Sequence, residues 1–403
     1  MYPRIISVLF YMFFTCVIFN PEVQGLAIYF YVFIPFLDPD FSRFLASTAR
    51  RWSGPLLIAV AVSLASSPTV AVKIVSIAIC IGYLMYTMTR RINYLHHWMA
   101  INIIFAMLQF VLYYVDYPLS IQLGPEEMSK MIWGQYATPT FTNFFEIFYF
   151  ARVSGFSREA GFFSSLLVGA FVAYLSTERV NKKMVALYCI GLFISFSKSS
   201  MLLFVIAGLY LFRHKLRAVH PLMILIIFVG VITPLSVFLA NHGFYGSESF
   251  AHRFSGYPFL LDARLEDVIL GVSPQKIVAQ YTYLPYIHSI EHLVKIGVPF
   301  AGLPATVADL GLFGALVFIG VLAFTASDGF VMLLFLLLTC TVSITTVTSF
   351  VPIAYLLLYW PRFTVFWAQF TQETQERLSN GSNGSLSRFR RPETNRPIPI
   401  GSK

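Results

Sequence analysis

The sequence predicts an all-α polytopic membrane protein with about 12 transmembrane helices and two long exoplasmic loops, and three observations carry that expectation. Of 403 residues, 57% are hydrophobic and only 12% charged, whereas an average soluble domain is roughly a quarter charged. The apolar residues gather into blocks of about 15 to 20, the length that a hydrocarbon core roughly 30 Å thick asks of a helix. Basic residues collect in alternate connections between the blocks, as cytoplasmic loops do. Backbone polar groups in lipid must be satisfied within the chain, so the blocks read as helices. Large apolar residues run consecutively, as from Leu222 to Val229, without the alternation of a membrane barrel.

Apolar blocks fall near residues 4–19, 25–37, 52–66, 69–88, 98–115, 160–177, 184–197, 199–212, 219–240, 305–326, 330–349 and 351–369. The first, Arg4 to Phe19, has the apolar core of a signal peptide, but no small-residue cleavage site follows. Asn20-Pro21-Glu22 reads as a turn, so this block is expected to be the first span. Four basic clusters mark one side: Arg43, Arg50 and Arg51; Arg90 and Arg91; Arg179, Lys182 and Lys183; Arg213, Lys215 and Arg217. With twelve spans all four lie in the cytoplasm, and so do both termini. Residues 1–370 are then one multi-helix membrane domain, and 371–403 a basic, disordered tail rich in Gly, Ser, Asn and Pro.

One stretch decides the count. Residues 184–212 are largely apolar except at Ser195-Phe-Ser-Lys198-Ser-Ser. As a single helix they would reach about 43 Å at 1.5 Å per residue, too long without a steep tilt. Two short helices meeting at Ser197-Lys198-Ser199 on the exoplasmic face keep every basic cluster inside.

Two segments break the packed pattern, 116–159 and 241–304. Each carries five acids against three and four Lys or Arg respectively. Segments this long in a compact protein carry function, and these are too aromatic to be plain linkers.

Several classes of function are disfavoured. The net charge of +9 sits in short loops and the tail, with no aromatic-basic stripe for nucleic acid. The four cysteines (Cys16, Cys80, Cys189 and Cys340) fall inside apolar blocks and read as small buried hydrophobes rather than a disulfide framework. No phosphate-binding Gly-x-x-x-x-Gly-Lys loop is present. Asp38-Pro39-Asp40 is a carboxylate pair of the kind that holds a divalent ion, but without a nucleotide-binding domain it reads as a turn.

Chemistry is expected where the first segment meets a span, at Arg152-Val-Ser-Gly155-Phe-Ser-Arg158-Glu159-Ala-Gly161. Two planar, permanently charged guanidinium forks there suit phosphate oxygens at the membrane surface. Gly155 and Gly161 allow close backbone approach. The plainer reading is a polar helix cap, with Glu159 favourable at the N-terminus. The second segment offers His242, Glu248, His252-Arg253, Asp262-Ala-Arg264-Leu-Glu266-Asp267 and Tyr286-Ile-His288-Ser-Ile-Glu291-His292. His288 and His292 have half the spacing logic of a zinc site, but no third ligand is marked. A general base is the better role for one histidine, against a plain solvated surface for His242 and His252. Within or beside spans, Lys73 can snorkel, Asp309 suits a helix start, and Arg362 could pair with an acid across the bundle.

The run Arg152-Val-Ser-Gly155-Phe-Ser-Arg158-Glu159-Ala160 resembles the Arg-x-x-Gly-(Phe/Tyr)-x-x-Glu-Pro motif of the Wzy-type O-antigen and exopolysaccharide polymerases, in the O-antigen polymerase/ligase superfamily, with Ala160 in place of Pro. Arg264 with Leu270-Gly271-Val-Ser-Pro274 is similar to the family's Arg and Gly-Val-Gly stretch. His288-Ser289 is similar to its His-Asn, and Asp309-Leu-Gly311-Leu-Phe-Gly314 to its Glu-x-Gly-x-x-Gly. The resemblance implies a membrane glycosyltransferase at the exoplasmic face of the inner membrane, using an undecaprenyl-diphosphate-linked glycan as donor and another as acceptor. Arg152, Arg158, Arg264 and Arg253 would neutralise the leaving diphosphate, with Gly155 beside them, and His288 or Glu159 would take the acceptor proton. No cofactor, metal or nucleotide is expected. The bilayer, a chain-length regulator and a flippase would be its partners, and nucleic acid would not. An O-antigen ligase is the near alternative, and a lipid-linked oligosaccharide flippase or other transporter the distant one.

Overall fold

A computed structural model describes residues 2–380 other than 24–25, 141–145, 148–149, 178–179, 247, 296 and 298. The chain divides into two compact units, Met1–Trp360 and Pro361–Lys403. The first opens with α1 (Tyr2–Thr15), a hairpin of β1 (Glu22–Val23) and β2 (Leu26–Ala27), and α2 (Phe30–Phe33). Long helices follow: α3 (Pro39–Ser66), α4 (Pro68–Thr89) and α5 (Leu95–Val115). The first long segment holds α6 (Tyr117–Gln122), α7 (Pro125–Trp133) and a second hairpin, β3 (Glu146–Ile147) with β4 (Phe150–Ala151). Then come α8 (Ala160–Thr177), α9 (Lys182–Ser195), α10 (Lys198–Leu211), α11 (Arg213–Ala218) and α12 (Pro221–Asn241). Six short helices fill the second long segment: α13 (Glu248–Phe254), α14 (Gly256–Asp262), α15 (Leu265–Leu270), α16 (Pro274–Tyr281), α17 (Pro285–His288) and α18 (Glu291–Lys295). The chain continues through α19 (Gly302–Thr325), α20 (Gly329–Thr339) and α21 (Phe350–Asn380).

Among the described residues, six stretches are helices long and apolar enough to cross a membrane: Pro68–Thr89, Leu95–Val115, Ala160–Thr177, Pro221–Asn241, Gly302–Thr325 and Phe350–Gln369. Shorter apolar helices occupy Tyr2–Thr15, Ser53–Ser66, Leu202–Leu211 and Gly329–Thr339. A helical multi-pass membrane protein is the architecture these describe.

Several blocks depart from continuous helix. Residues 25–37 hold a strand, one turn of α2 and a 3-10 turn, Ile34–Leu37, because Pro35 and Pro39 interrupt the helical hydrogen-bond ladder. The block 330–349 is helical only to Thr339; the run Thr341 to Ser349 is rich in Ser and Thr, whose side chains compete for backbone partners. Its backbone is satisfied from elsewhere in the unit: Gly302 N–H donates to Val342 O at 2.9 Å, and the Tyr31 and Tyr355 hydroxyls donate to Val347 O and Ile344 O. Residues 184–212 form two helices, α9 and α10, broken at Phe196 in a left-handed turn (φ 27°). Asp38 caps α3, accepting from Asp40 N–H at 3.0 Å, and Asp40 pairs with Arg43 at 3.2 Å.

The ends of the first unit are fixed by polar contacts. Ser7 Oγ donates to Ile92 O at 2.6 Å and the Tyr11 and Thr87 hydroxyls bond at 2.6 Å, so α1 starts beside Arg90 and Arg91. It finishes beside the first long segment, where Ile18 N–H donates to Phe156 O at 3.3 Å. The α9–α10 break lies at that same end: Val153 N–H donates to Ile194 O at 3.2 Å, and the Phe150 ring is 5.0 Å from Phe193. Between the ends, Phe10, Phe14, Tyr31, Phe41 and Tyr83 form a buried aromatic stack; Phe10 and Tyr83 are 4.6 Å apart. Lipid offers helices no hydrophobic drive to associate, so close packing matters. Gly191 of α9 lets Ile103 of α5 come to 3.0 Å of where a Cβ would lie.

The second unit begins at Pro361, inside α21. Helix runs on to Asn380, past residue 370 where the sequence placed the end of the membrane domain, because Gln, Glu, Arg and Leu there favour helix and no Gly or Pro intervenes before Gly381. Arg362 lies exposed in this unit. The remainder of the expected tail, 381–403, lies outside the described residues.

Candidate functional site

Helix α8 begins at Ala160, and Phe163 N–H donates to Glu159 O at 3.0 Å, so Glu159 stands at the helix cap. A carboxylate is favourable there, at the positive end of the helix dipole. Its Oε1 folds back along the first turn, 3.1 Å from where a Gly161 Cβ would lie. Two guanidinium groups share its field: Arg152, from the end of the first long segment, and Arg253, from α13 in the second. Burial lowers the pKa of each, and the Glu159 charge opposes that loss. A guanidinium remains charged through shifts of this kind. Cys340, at the end of α20, is the other group acting on Arg253, and it also borders Tyr257, whose phenol burial pushes up. Segments far apart in sequence thus come within electrostatic reach of one acid.

Gly155 is essential to this meeting, though for a reason other than ligand approach. Its φ is +57°, and a Cβ would lie 2.1 Å from Asn102 Oδ1. Two buried polar side chains of α5 hold the loop: Phe156 N–H donates to Asn102 Oδ1 and Gly155 N–H to Gln109 Oε1, each at 2.9 Å. Asn102 Nδ2 also donates to Thr15 O at 3.2 Å, tying the loop to α1. Sequence reading passed over Asn102 and Gln109. Their signal was two amides seven residues apart in an apolar span, where unsatisfied polar groups are costly.

Arg158, adjacent to Glu159, faces elsewhere. It lies within electrostatic reach of Tyr29, which also feels Glu22, and its Cζ is 6.0 Å from the Phe162 ring centroid. Arg264 belongs to a third group. It is exposed at the start of α15, with Asp267 and Tyr281 as its electrostatic neighbours. Asp267 is buried and accepts from Lys276 Nζ and from Tyr281 Oη. Burial alone would raise its carboxyl, but those hydrogen bonds and the Lys276 and Arg264 charges outweigh it and hold the pKa below the usual range. A depressed carboxyl stabilises the fold above its unfolded value, about 3.9, and that stability is lost as pH falls through the folded value. Amide protection in α15 and α16, referred to the intrinsic exchange rate at each pH, is therefore expected to fall on acidification below about pH 4. Asp267→Asn should abolish that acid step; an unchanged step would refute the assignment.

His288 ends α17, with its side chain 75% exposed and Nδ1 3.6 Å from Glu291 Oε2. His292 starts from a different helix, α18, so the i, i+4 face suggested by their spacing does not form. Among the described residues no three His, Cys, Asp or Glu side chains group as metal ligands.

The second segment is locked to the bundle through backbone contact. Helix α19 breaks at Gly311 (φ 69°, ψ 169°), and Val272 N–H donates to Ala308 O at 2.9 Å. A Cβ on Gly311 would meet Ile269 O at 2.3 Å, and one on Gly271 would meet Ala308 O at 2.8 Å. Beside this break Asp309 accepts from Thr345 Oγ1 at 2.7 Å, Ser66 Oγ donates to its carbonyl at 2.7 Å, and Lys73 lies within its electrostatic reach.

No protein-family model, curated protein or solved structure matches this chain. What the site can do rests on its own chemistry. Two guanidiniums within electrostatic reach of one carboxylate can receive a dianionic, oxygen-rich group, and the N-terminus of an 18-residue helix adds its positive dipole end in the same place.

Proposed function

We propose that this chain is a glycosyltransferase of the bacterial inner membrane that polymerises undecaprenyl-diphosphate-linked oligosaccharide repeats at the exoplasmic face. The observation that carries the reading is that Arg152 and Arg253, from separate long segments, both lie within electrostatic reach of Glu159 at the cap of α8. Twelve passages of the bilayer are part of the proposal, made by α1, residues 28–38, α3 to α5, α8 to α10, α12 and α19 to α21. Both termini and the basic clusters then face the cytoplasm.

In this mechanism the donor diphosphate displaces Glu159 from the two guanidiniums. An acceptor sugar hydroxyl attacks the anomeric carbon of the donor, the bond from that carbon to the diphosphate oxygen breaks, and the leaving charge falls on Arg152 and Arg253. The released carboxylate of Glu159 takes the hydroxyl proton; His288, highly exposed in α17, is the other candidate base. Arg264 and Arg158 are assigned outside the leaving-group contacts. A ligase would run the same chemistry onto a different acceptor.

A transport reading is favoured by one feature, the Asp309 carboxylate at a helix break. Proteoliposomes holding only this protein and undecaprenyl-diphosphate-linked repeats separate the two. The transferase yields a ladder of lengthened lipid-linked glycans without nucleotide, and a chelator leaves the rate unchanged. Repeats that cross the bilayer without a ladder would sink the transferase, and turnover lost to chelator and restored by a divalent ion would sink metal independence.

A further inference from the structure

Four helix ends meet around α11. The Tyr210 ring near the end of α10 lies 6.1 Å from Phe330 at the start of α20, and the His220 ring, which caps α12, lies 6.3 Å from Phe324 at the end of α19. Helices α12 and α19 are long and apolar enough to cross a membrane, so their ends mark the level at which lipid tails give way to headgroups. Helix α11 links α10 to α12 at that level. It is pressed onto α20, where a Cβ on Gly329 would run into the carbonyls of Leu216 and Val219.

The helix reads Arg213-His-Lys-Leu-Arg217-Ala, with three positive charges and no acid. Lys215 and Arg217 are exposed, and among the described residues no carboxylate pairs with Arg213, Lys215 or Arg217. Asp328, the acid of the α19–α20 connection, is committed to capping α20, accepting from Val331 N–H at 2.9 Å. The Arg213 Cζ lies 4.0 Å from the centroid of the Tyr210 ring. A ring contact of this kind orders a guanidinium without consuming its N–H donors. Arg217, one turn further on, shares the same helix face. Leu211 and Phe212, just before α11, and Phe324 beside it are exposed apolar side chains.

We propose that Tyr210, Arg213 and Arg217 form a binding site for the headgroup phosphate of an anionic phospholipid of the bilayer. The two guanidiniums receive phosphate oxygens, and the exposed apolar side chains beside them lie against the acyl chains. A soluble acidic partner would leave those apolar side chains in water, which favours lipid as the occupant. Phosphatidylcholine offers the same phosphate, but its own ammonium cancels the attraction to a cationic helix. Bound lipid pins the α10–α12 connection to the membrane surface, and this role is independent of the transferase reading.

The test is native mass spectrometry of full-length protein released from micelles that hold phosphatidylglycerol and phosphatidylcholine in equal amounts, with the retained lipids counted. The parent is expected to retain phosphatidylglycerol in preference, and Arg213→Gln with Arg217→Gln to lower that preference by at least about tenfold. Tyr210→Leu keeps every charge but removes the seat of Arg213, and a loss of about threefold is expected. Lys182→Gln with Lys183→Gln, an exposed basic pair at the start of α9, should leave the preference within about twofold. Should the double variant in α11 fail to fold, the single Arg217→Gln, on an exposed side chain, decides alone with a loss of about fivefold. A parent that retains the two lipids equally, or equal losses from the α11 and α9 pairs, overturns the site.

Discussion

Arg253→Ala is expected to lower ladder formation by about 10²- to 10³-fold, the effect of removing one preorganised donor to a developing oxyanion. The size follows from where Arg253 sits. It is half-buried, it shares Glu159 with Arg152, and it comes from the segment that has to fold over the site from the far side of the sequence. Water cannot replace a desolvated guanidinium. Arg253→Lys keeps the charge but loses the planar fork, so an intermediate loss is expected. Arg264→Ala, in the exposed group around Asp267, should cost far less. Rates in proteoliposomes at equal protein levels check all three. Equal losses at Arg253 and Arg264 would mean that both reach the leaving group, and a silent Arg253→Ala would remove the basis of the mechanism.

Gly155→Ala is expected to cost about 3 to 5 kcal/mol of stability, among the largest single-substitution effects. Left-handed backbone alone costs an L-residue roughly 1–2 kcal/mol. The larger share is steric and polar: a Cβ 2.1 Å from Asn102 Oδ1 evicts that amide, and with it the bonds to Phe156 N–H and Thr15 O. Each buried group left unsatisfied costs about 1–3 kcal/mol. Thermal unfolding in detergent measures it, with Gly208→Ala as control, since a Cβ at Gly208 meets nothing within 4 Å. Matching unfolding temperatures for the two variants would show that the loop is held by something else.

The roles of residues were less legible than the spans. Gly155, Gly271 and Gly311 are marked in the sequence by their motifs, yet that Gly155 admits an amide side chain and the other two admit one another's backbone is visible only in three dimensions. Arg152, Arg158, Arg253 and Arg264 look alike as charges in long segments. Nothing local separates Arg253, brought to Glu159, from Arg264, left with Asp267 and Lys276. Residues 25–37 read as a membrane span, and the prolines at 35 and 39 mark where continuous helix fails. The break at Phe196 was legible, because 29 residues exceed what one span can use.

By itself the sequence determined that this is a helical membrane chain and where its longest apolar helices lie. That is local physics, since an apolar helix satisfies its own backbone where no water can. Tertiary structure alone decided which charges become neighbours. Contact between segments some hundred residues apart is set by how whole helices and loops pack, and no window of sequence contains that information.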